Sequence, residues 1–564
     1  MGTYTGGKKM KAELTEQKLR GGYYTPKPIT DFITKWGINS KDLKVLEPSC
    51  GDGNFLESVV ERFQELEVTN TVISRNLNGI EFDAKEAEKS IIRLNSLGIS
   101  NENGTVINGD FFSYCNKFLS EERKFDVVMG NPPFIRYQNF MEEHRVLAFE
   151  IMKTAGLKPN RLTNSWVPFL IASSMLLNDN GKLGMIIPAE LFQVSYAAQT
   201  REFLSNYFSK ITIVTFKKLV FPDIQQEVIL LLCEKNGSDK SGIKVVELDG
   251  IDDLSNYDVS DLSLLELKPI DHSSEKWTKY YLTTEEILTL RKLREHPNIT
   301  KSGDVIDVDV GIVTGLNEFF VLNENKVKDK NLSSFTQKIV TRSAHLEGAI
   351  FNEEDWNKNV MNQYPTALFS PPSLPFEEQP METKEYISLG EQEGVNKGYK
   401  CRIRKNWYIV PSVWIPDAFM LRQVHKYPKI IVNKANATCT DTVHRVRFLG
   451  DYNGKQVAAA FTNSLTFAFS EVTGRSYGGG VLTFEPSEAE NLPLPLMGSE
   501  NLDLDLIDEL IRKNDIDAVL DITDKVLLVD GLGLSSDEVL KLRNMWEKLR
   551  DRRINRKKKS KNNS

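Results

Sequence analysis

The chain has 564 residues, which is longer than one ordinary domain and predicts roughly two to four of them. Its composition, 40% hydrophobic and 26% charged, is typical of a soluble globular protein, and no apolar run is long enough to span a membrane. The net charge of -7 excludes no class of partner, because an enzyme that acts on nucleic acid needs a locally basic surface rather than a basic total.

The cysteines and the N-terminus suggest neither a metal site nor export. The five cysteines have no CxxC spacing, so they indicate neither a zinc site nor a disulfide framework; they are Cys50, Cys115, Cys233, Cys401 and Cys439. The first twenty residues are polar and lack the apolar core of a signal peptide. We therefore expect a cytoplasmic protein that needs no metal.

Strands and helices are predicted to alternate over the first part of the chain. A loop at 21–26 enters a helix, for which Thr25 is placed as the cap and Pro26 as the first residue. A longer helix with amphipathic spacing is predicted at 162–177. Short apolar runs ended by turn residues predict strands at 44–48, 78–83, 104–110, 125–130, 181–188, 211–216 and 227–232. This alternation predicts an α/β fold with a mostly parallel, doubly wound sheet.

The composition changes after residue 236, and the predicted domains follow that change. They are a polar N-terminal extension (1–20), an α/β domain (21–236), an acidic connection (237–280), a mixed α/β domain (281–497) and a C-terminal helical segment with a basic tail (498–564). The tail from 550 to 561 is expected to be disordered and solvated, because it is a run of like charges.

One turn carries the strongest chemical signal. Asn131-Pro132-Pro133-Phe134 follows the strand at 125–130, so it lies at the carboxyl end of a strand, where open α/β sheets bind ligands. The two prolines fix the backbone and remove two amide donors. The acceptor oxygens of Asn131 and Pro132 remain, beside the aromatic face of Phe134, and together they suit a planar molecule with an amino group. Taken alone, the turn is equally well read as a tight loop without a function.

The loop after the first strand has the character of a nucleotide site. It runs from Glu47-Pro48 through Gly51 and Gly53, and the two glycines allow a ligand to approach the backbone closely. The spacing is not Gly-x-Gly-x-x-Gly, and Gly-Lys-Ser/Thr is missing, so neither a dinucleotide nor a nucleoside triphosphate is indicated.

The next two strand ends complete this signal. Glu81 suits the two hydroxyls of a ribose, and Asp110 followed by Phe111 suits an adenine amine and its ring. A ligand with ribose and adenine but without phosphates fits all three loops. S-adenosylmethionine is such a ligand, and its cationic groups favour nearby carboxylates such as that of Glu47.

Together these residues resemble the gamma-class adenine-N6 DNA methyltransferases of restriction–modification systems, strongly over 21–235 and more weakly beyond. The resemblance implies a Rossmann-like class I S-adenosylmethionine-dependent methyltransferase domain, followed by a mixed α/β domain that recognises DNA. It implies cofactor contacts for Tyr24, Thr25, Pro26, Glu47, Pro48, Gly51, Gly53, Glu81, Asp110, Phe111 and Asn131. The chain departs from the family at Phe134, where Tyr is usual, and at Asn164-Ser165-Trp166, where an acidic residue is usual.

The resemblance also assigns the chemistry, to Asn131, Pro132, Pro133 and Phe134. Asn131 and Pro132 would accept hydrogen bonds from both N–H groups of an adenine amine and direct its lone pair to the methyl group, without a covalent enzyme intermediate. The target base would leave the duplex and stack between Phe134 and Phe221, which offsets the cost of unstacking.

The second domain would then contact double-stranded DNA. From Lys397 to Arg447 there are eleven Lys and Arg residues against two Asp and Glu, a local excess of positive charge. The candidates for DNA contact are Arg402, Arg404, Lys405, Lys434 and Arg475. For any one of them, a solvated surface position is the simpler interpretation.

The leading hypothesis is a site-specific adenine-N6 DNA methyltransferase that protects against a separate restriction endonuclease. One alternative keeps the fold but methylates a protein glutamine or an RNA base; the large basic region argues against it. Another is a catalytically silent DNA-binding homologue, against which the intact Glu47, Glu81, Asp110 and Asn131 argue.

Overall fold

The computed structural model describes residues 24–221, 227–236, 241–273, 275–477 and 480–555. The predicted N-terminal extension (1–20) therefore lies outside the described residues, as does the basic tail beyond residue 555. The chain divides after Thr284 into two units. Over the described ranges, no helix is both long and apolar enough to cross a membrane.

The first unit is built on one sheet. Its strands are β1 (Val45–Glu47), β2 (Leu77–Glu81), β3 (Val106–Asn108), β4 (Phe125–Gly130), β5 (Leu177–Pro188), β6 (Lys210–Phe216), β7 (Val228–Glu234) and β8 (Gly242–Leu248). Its helices are α1 (Lys27–Gly37), α2 (Asn54–Glu65), α3 (Asn70–Asn76), α4 (Ala84–Ser96), α5 (Phe111–Ser120), α6 (Glu142–Thr154), α7 (Trp166–Met175), α8 (Ala198–Tyr207) and α9 (Asp252–Asn256).

The strand order confirms the predicted doubly wound α/β fold. The order is β3-β2-β1-β4-β5-β7-β6-β8, and only β7 runs antiparallel to its two neighbours. The direction of winding reverses between β1 and β4, which pair in parallel with Val45 opposite Val127. The carboxyl ends of these two strands therefore lie side by side, at the place where such sheets bind ligands.

Two elements differ from their predicted form. Strand β8 pairs with β6 along its whole length, so the sheet extends into the segment predicted as a connection, 237–280. The acidic average of that segment hid the apolar residues Ile243, Val245 and Val246. Helix α7, predicted to be amphipathic, has nine of its ten residues buried, so it is a core helix.

The second unit is mixed α/β, with several small sheets. Its strands are β9 (Ile299–Lys301), β10 (Ile306–Val310), β11 (Val321–Leu322), β12 (Thr336–Val340), β13 (Ile350–Phe351), β14 (Ala367–Phe369), β15 (Ala418–Leu421), β16 (Gln423–Val424), β17 (Ile430–Asn433), β18 (Thr438–Cys439), β19 (Val443–Phe448), β20 (Arg475–Tyr477), β21 (Val481–Thr483) and β22 (Pro493–Pro495). The largest sheet has the order β10-β19-β15-β17-β13.

The helices of this unit are α10 (Thr284–Arg294), α11 (Asn317–Phe320), α12 (Glu324–Asp329), α13 (Glu353–Met361), α14 (Met381–Gln392), α15 (Tyr399–Arg402), α16 (Gly454–Ala460), α17 (Ser464–Thr473), α18 (Pro486–Glu490), α19 (Leu504–Arg512), α20 (Ile516–Asp524) and α21 (Ser536–Asn555). The first of these begins at the boundary between the units.

Helix α21 includes the first part of the predicted basic tail. Its Arg553 is buried, and the guanidinium donates two hydrogen bonds to Glu471, at 2.6 and 3.0 Å. It also donates to the carbonyls of His425 and Gly480. Residues 550–555 are therefore helical and not solvated coil. The charge of Arg553, which the sequence predicted to be in solvent, is instead paired with a buried carboxylate and two carbonyls.

Candidate functional site

The site lies at the switch point of the first unit's sheet. Glu47 ends β1, and Asn131 directly follows β4. The main-chain oxygen of Asn131 accepts a hydrogen bond from Ser49 Oγ at 3.3 Å, which ties the loop after β1 to the turn after β4. The two loops that the sequence singled out are therefore joined into one site.

A cavity of about 480 Å³ opens at this switch point. Nine of the eleven predicted cofactor residues line it: Tyr24, Thr25, Glu47, Pro48, Gly51, Glu81, Asp110, Phe111 and Asn131. The other two, Pro26 and Gly53, do not line the cavity, but each is adjacent in the chain to a residue that does. Of the Asn-Pro-Pro-Phe turn, Asn131 and Pro133 line the cavity and Pro132 and Phe134 do not, so the turn borders the cavity at two of its four residues.

Glu47 is the most buried acid of this cavity, with 2% of its surface exposed. Burial, and then the negative charges of Glu81 and Asp52, raise the pKa of its carboxyl well above the ordinary value. Its Oε2 atom is buried and has no hydrogen-bond partner among the described residues. A buried acceptor of this kind is costly unless a donor or a cation comes to it.

The glycine loop is held against Glu81. Gly51 N and Asp83 N each donate to one carboxylate oxygen of Glu81, both at 2.8 Å. Gly51 has a φ of 54°, and a Cβ added there would meet no atom within 4 Å, so this backbone faces open space in the cavity. Gly53 has a φ of 89°, and a Cβ there would lie 3.0 Å from Ser90 Oγ, so glycine is needed at this position for packing.

Asp110 both caps a helix and faces the cavity. Its Oδ2 accepts from Ser113 N (2.8 Å) and Ser113 Oγ (2.9 Å), which caps α5. Its Oδ1 lies 2.8 Å from His144 Nδ1, on α6. The neighbouring Phe111 stacks on Phe169 of α7, with ring centroids 5.1 Å apart.

His144 is a lining residue that the sequence analysis missed. Its ring also meets Phe82 edge to face, with the centroids 4.8 Å apart. Arg145 fixes this end of α6 by donating to the carbonyls of Tyr137 and Phe140, at 3.4 and 3.2 Å. No periodic pattern or strand end marks His144, so only its position in the folded chain shows that it belongs to the site.

Thr25 has a different role from the predicted helix cap. Helix α1 begins at Lys27 after Pro26, and no side chain caps it. The hydroxyl of Thr25 instead accepts a hydrogen bond from Asn131 Nδ2, at 3.3 Å. The amide group of Asn131 is thereby oriented through its nitrogen, which leaves its oxygen as the acceptor end of the group.

Ser165 braces the turn that holds Asn131. This fully buried residue donates from its hydroxyl to Pro133 O and accepts from Ile135 N at 2.8 Å. Its own backbone N–H donates to Ile135 O at 2.9 Å. Ser165, in the segment 164–166 where the resemblance implies an acidic residue, is thus used to hold the Asn-Pro-Pro-Phe turn.

The two aromatic residues predicted to hold the target base lie in one apolar cluster. Phe221 is 6% exposed and belongs to the core beside the sheet, and Phe134 is half-buried and packs against the same core. The segment that follows Phe221, 222–226, lies outside the described residues. A stacking role for either ring stays a prediction.

Two family descriptions match this chain in succession. Residues 43–221 match "Eco57I restriction-modification methylase", and residues 274–528 match the C-terminal domain of "Type II methyltransferase M.Eco57I". Type II methyltransferase M.AccI from Acinetobacter calcoaceticus is 24% identical in an alignment 550 residues long, which covers 91% of this chain and 94% of that protein. Type II methyltransferase M.XamI from Xanthomonas campestris pv. amaranthicola is 22% identical over 86% of both chains.

The chain belongs to the restriction–modification methyltransferases. Among solved structures, its fold is similar to that of the Type IIL restriction-modification enzyme MmeI in complex with DNA. The TM-score is 0.59 at 12% identity, over 93% of this chain and 75% of that one. This likeness extends the shared fold over both units.

In this methyltransferase the five candidates for DNA contact differ in their surroundings. Arg402, Lys405 and Lys434 are exposed. Arg404 donates to the carbonyls of Val313 (3.1 Å), Thr314 (2.7 Å) and Trp407 (3.3 Å), so its guanidinium is used inside the unit. Arg475 pairs with Glu488, with Nε 2.9 Å from Oε1. Two of the five are therefore taken up by contacts that the sequence does not reveal.

The cysteines and the remaining histidines add no further site. All five cysteines are free and buried. Over the described ranges, no group of three or more His, Cys, Asp or Glu side chains could hold a metal ion. Of the other histidines, His444 is fully buried and bonds to Phe484 O at 2.8 Å, while His425 is exposed.

Proposed function

We propose that this methyltransferase transfers a methyl group from S-adenosylmethionine to the N6 amine of an adenine in double-stranded DNA, and so protects sites from a separate restriction endonuclease. One observation carries the proposal: the acceptor-rich turn at Asn131 opens into the same cavity as the three acidic strand ends. A methyl donor and an amine can meet there.

The charge of the cavity and its open backbone support the adenosyl cofactor as its ligand. The partnerless oxygen of Glu47 suits the cationic end of the ligand, and the open backbone at Gly51 allows close approach. Glu81 and Asp110 line the same cavity, and their carboxylates would accept hydrogen bonds from the ribose hydroxyls and the adenine amine. When bound, S-adenosylmethionine supplies an activated methyl group, and the residues of the chain bind and orient it.

The turn would prepare the amine that receives the methyl group. An aromatic amine is a weak nucleophile, because its lone pair is delocalised into the ring. Asn131 Oδ1 and Pro132 O would accept hydrogen bonds from the two N–H groups of the amine and so direct its lone pair out of the ring plane. Thr25 and Ser165 hold the turn before any substrate arrives, so the acceptors need no rearrangement at the moment of reaction.

The second unit offers a basic surface for DNA, smaller than the sequence count suggested. Of the eleven cations between 397 and 447, seven are exposed: Lys397, Lys400, Arg402, Lys405, Lys426, Lys434 and Arg447. The other four have internal partners: Arg404, Arg422, Lys429 and Arg445. Four of the seven exposed cations lie within 397–405, and this segment is the main candidate for phosphate contacts.

Transfer to a protein glutamine or to an RNA base would use the same turn. The family and the exposed basic segment favour DNA over both. The proposed test incubates the protein with labelled cofactor and duplex DNA, single-stranded RNA or total protein. The methylated product is then digested and identified by mass spectrometry.

We expect N6-methyldeoxyadenosine in the duplex and no label in RNA or protein. Label in RNA or protein would favour the second acceptor class. Cofactor binding without transfer to any of the three would favour a silent homologue. A methylated cytosine would keep the DNA substrate but overturn the adenine assignment. Sequencing of modified bases in a host that expresses the protein would add the sequence context of the methylated base.

A further inference from the structure

We use the word ridge for four exposed apolar side chains that come from two touching segments of the second unit, the loop at 311–316 and the basic segment at 397–405. It consists of Val313, Leu316, Tyr399 and Ile403, whose exposed fractions are 42%, 41%, 66% and 61%. Single exposed apolar residues are normal on protein surfaces, but a contiguous group marks a site of interaction. None of these four residues lines the cavity proposed for the cofactor, which lies in the first unit.

The two halves of the ridge are packed together closely. A Cβ added at Gly315 would lie 3.1 Å from both Cys401 Sγ and Lys400 Cβ, so the loop at 311–316 rests directly on helix α15. Gly315 has a φ of 95°, which favours glycine at this place. The ridge therefore depends on a contact that leaves no room for a side chain.

Arg404 locks this contact. Its guanidinium reaches from the α15 segment to the carbonyls of Val313 and Thr314 in the loop. Beneath the helix, Cys401 and Tyr408 are buried in the apolar core of the unit. A ridge held in this way keeps its shape without a partner, and little conformational entropy is lost when a partner binds.

Exposed cations interleave with the ridge in the chain. Lys397, Lys400, Arg402 and Lys405 are all exposed, and they alternate with Tyr399 and Ile403. An apolar ridge among cations is complementary to a polyanion with apolar faces between its charges. Duplex DNA has this character, with stacked bases between two phosphate backbones.

We propose that the ridge is a wedge that Tyr399 and Ile403 insert between base pairs of duplex DNA, while the surrounding cations hold the phosphates. This inference rests on the proposed function and deepens it, because it names a surface that would help to open the duplex. Inserted side chains unstack a base step, and the cost of extruding a base is least where stacking is already disturbed.

The test separates the wedge from the charges. Two double variants are compared, Tyr399→Ala/Ile403→Ala and Arg402→Gln/Lys405→Gln. Each is titrated, over a series of salt concentrations, with a short unmethylated duplex that contains the sequence the protein methylates. A 2-aminopurine in the duplex reports unstacking by its fluorescence. The matched control is Met361→Ala/Leu506→Ala, which removes two other exposed apolar side chains of the same unit.

The apolar double variant should bind roughly tenfold or more weakly at every salt concentration, with the salt slope unchanged and the fluorescence rise lost. The charge variant should flatten the slope of log K against log salt by about two units. The control should match the wild type in both respects, and Tyr399→Trp should retain the affinity.

Three outcomes would overturn the wedge. Unchanged DNA affinity and fluorescence in the apolar variant would assign the ridge to a protein partner instead. A loss of affinity that vanishes at high salt would mean that only charge acts there. A wild type that binds the adenosyl cofactor but no duplex would overturn the proposed DNA substrate together with the wedge. Thermal unfolding of each variant checks that it folds, and the high exposure of Tyr399 and Ile403 makes a loss of folding unexpected.

Discussion

The cavity of the first unit and the basic region 397–447 of the second unit differ in how far the sequence predicts them. In the first unit, nine of the eleven residues predicted to bind the cofactor line one cavity. In the region 397–447, four of eleven cations turn inward to carbonyls or carboxylates. The same kind of sequence pattern thus predicts a pocket well and a surface poorly.

The difference has a geometric cause. A residue that directly follows a buried parallel strand has no choice of edge, because all such strands end at the same side of the sheet. A cation in an irregular segment has a long, flexible side chain, and any carbonyl that the fold brings near can take it. The location of a side chain is therefore easier to predict when its residue directly follows a buried strand than when only its charge is known.

The largest effect is expected from the turn itself. Asn131→Ala removes one of the two acceptors for the amine, so methyl transfer should fall by at least about 10²–10³-fold, with cofactor binding largely kept. Asn131→Asp keeps an acceptor oxygen and should retain more activity than the alanine variant. Single-turnover transfer and calorimetric cofactor titration measure the two quantities. Transfer at the wild-type rate in the alanine variant would refute the proposed mechanism.

Glu47→Gln should weaken cofactor binding by about 10–100-fold above the raised pKa of Glu47, because a neutral amide replaces a carboxylate beside a cation. Burial first, then Glu81 and Asp52, raise this pKa in the protein without ligand. Binding of a cation therefore expels a proton, and wild-type affinity should rise with pH from the ordinary carboxyl range and level off above the raised pKa. The variant should show no such rise.

The raised pKa of Glu47 makes cofactor affinity rise with pH, but it makes the stability of the protein without ligand fall with pH. A carboxyl whose pKa is higher in the folded state than in the unfolded state binds more protons when folded, so stability falls as pH rises between the two values. Without ligand, Glu47→Gln should therefore unfold at a higher temperature than the wild type at neutral pH. Glu88→Gln, at an exposed position on α4, is the control and should change neither cofactor affinity nor unfolding temperature. A lower unfolding temperature for Glu47→Gln would contradict the assignment.

The fold and most of the cavity could be predicted from the sequence, and the reasons are local. Apolar runs with turn residues marked every strand from β1 to β7, and the polar residues after them marked the cavity. Strand β8 escaped because its apolar residues sit in an acidic segment. His144 escaped because its partner Asp110 lies on another element. Arg404 escaped because its acceptors are backbone carbonyls, which every residue carries.

Ser165→Ala tests whether bracing of the turn matters. The change leaves Ile135 N and Pro133 O without their buried partner, at a cost of roughly 1–3 kcal/mol of folding free energy. We expect a several-fold lower rate of transfer, with the cofactor Kd close to that of the wild type. Ser173→Ala, on the helix α7 that directly follows Ser165, is the control, because its buried hydroxyl has no hydrogen-bond partner among the described residues. Equal rates in the two variants would leave Ser165 with a structural role alone.

The smallest effect on function is expected in the basic segment, where neighbouring arginines should separate binding from stability. Arg402→Gln removes an exposed charge, so DNA affinity should fall a few-fold and the salt slope by about one unit, with the unfolding temperature unchanged. Arg404→Gln removes a guanidinium that binds three carbonyls, so the free energy of unfolding should fall by about 1.5–3 kcal/mol. Its direct effect on the salt slope should be smaller, because this charge already faces the loop at 311–316. If Arg404→Gln lowered the salt slope more than Arg402→Gln and left stability unchanged, Arg404 would have to leave its carbonyls to bind phosphate. The internal contacts of the segment would then predict the DNA-binding surface no better than its charge does.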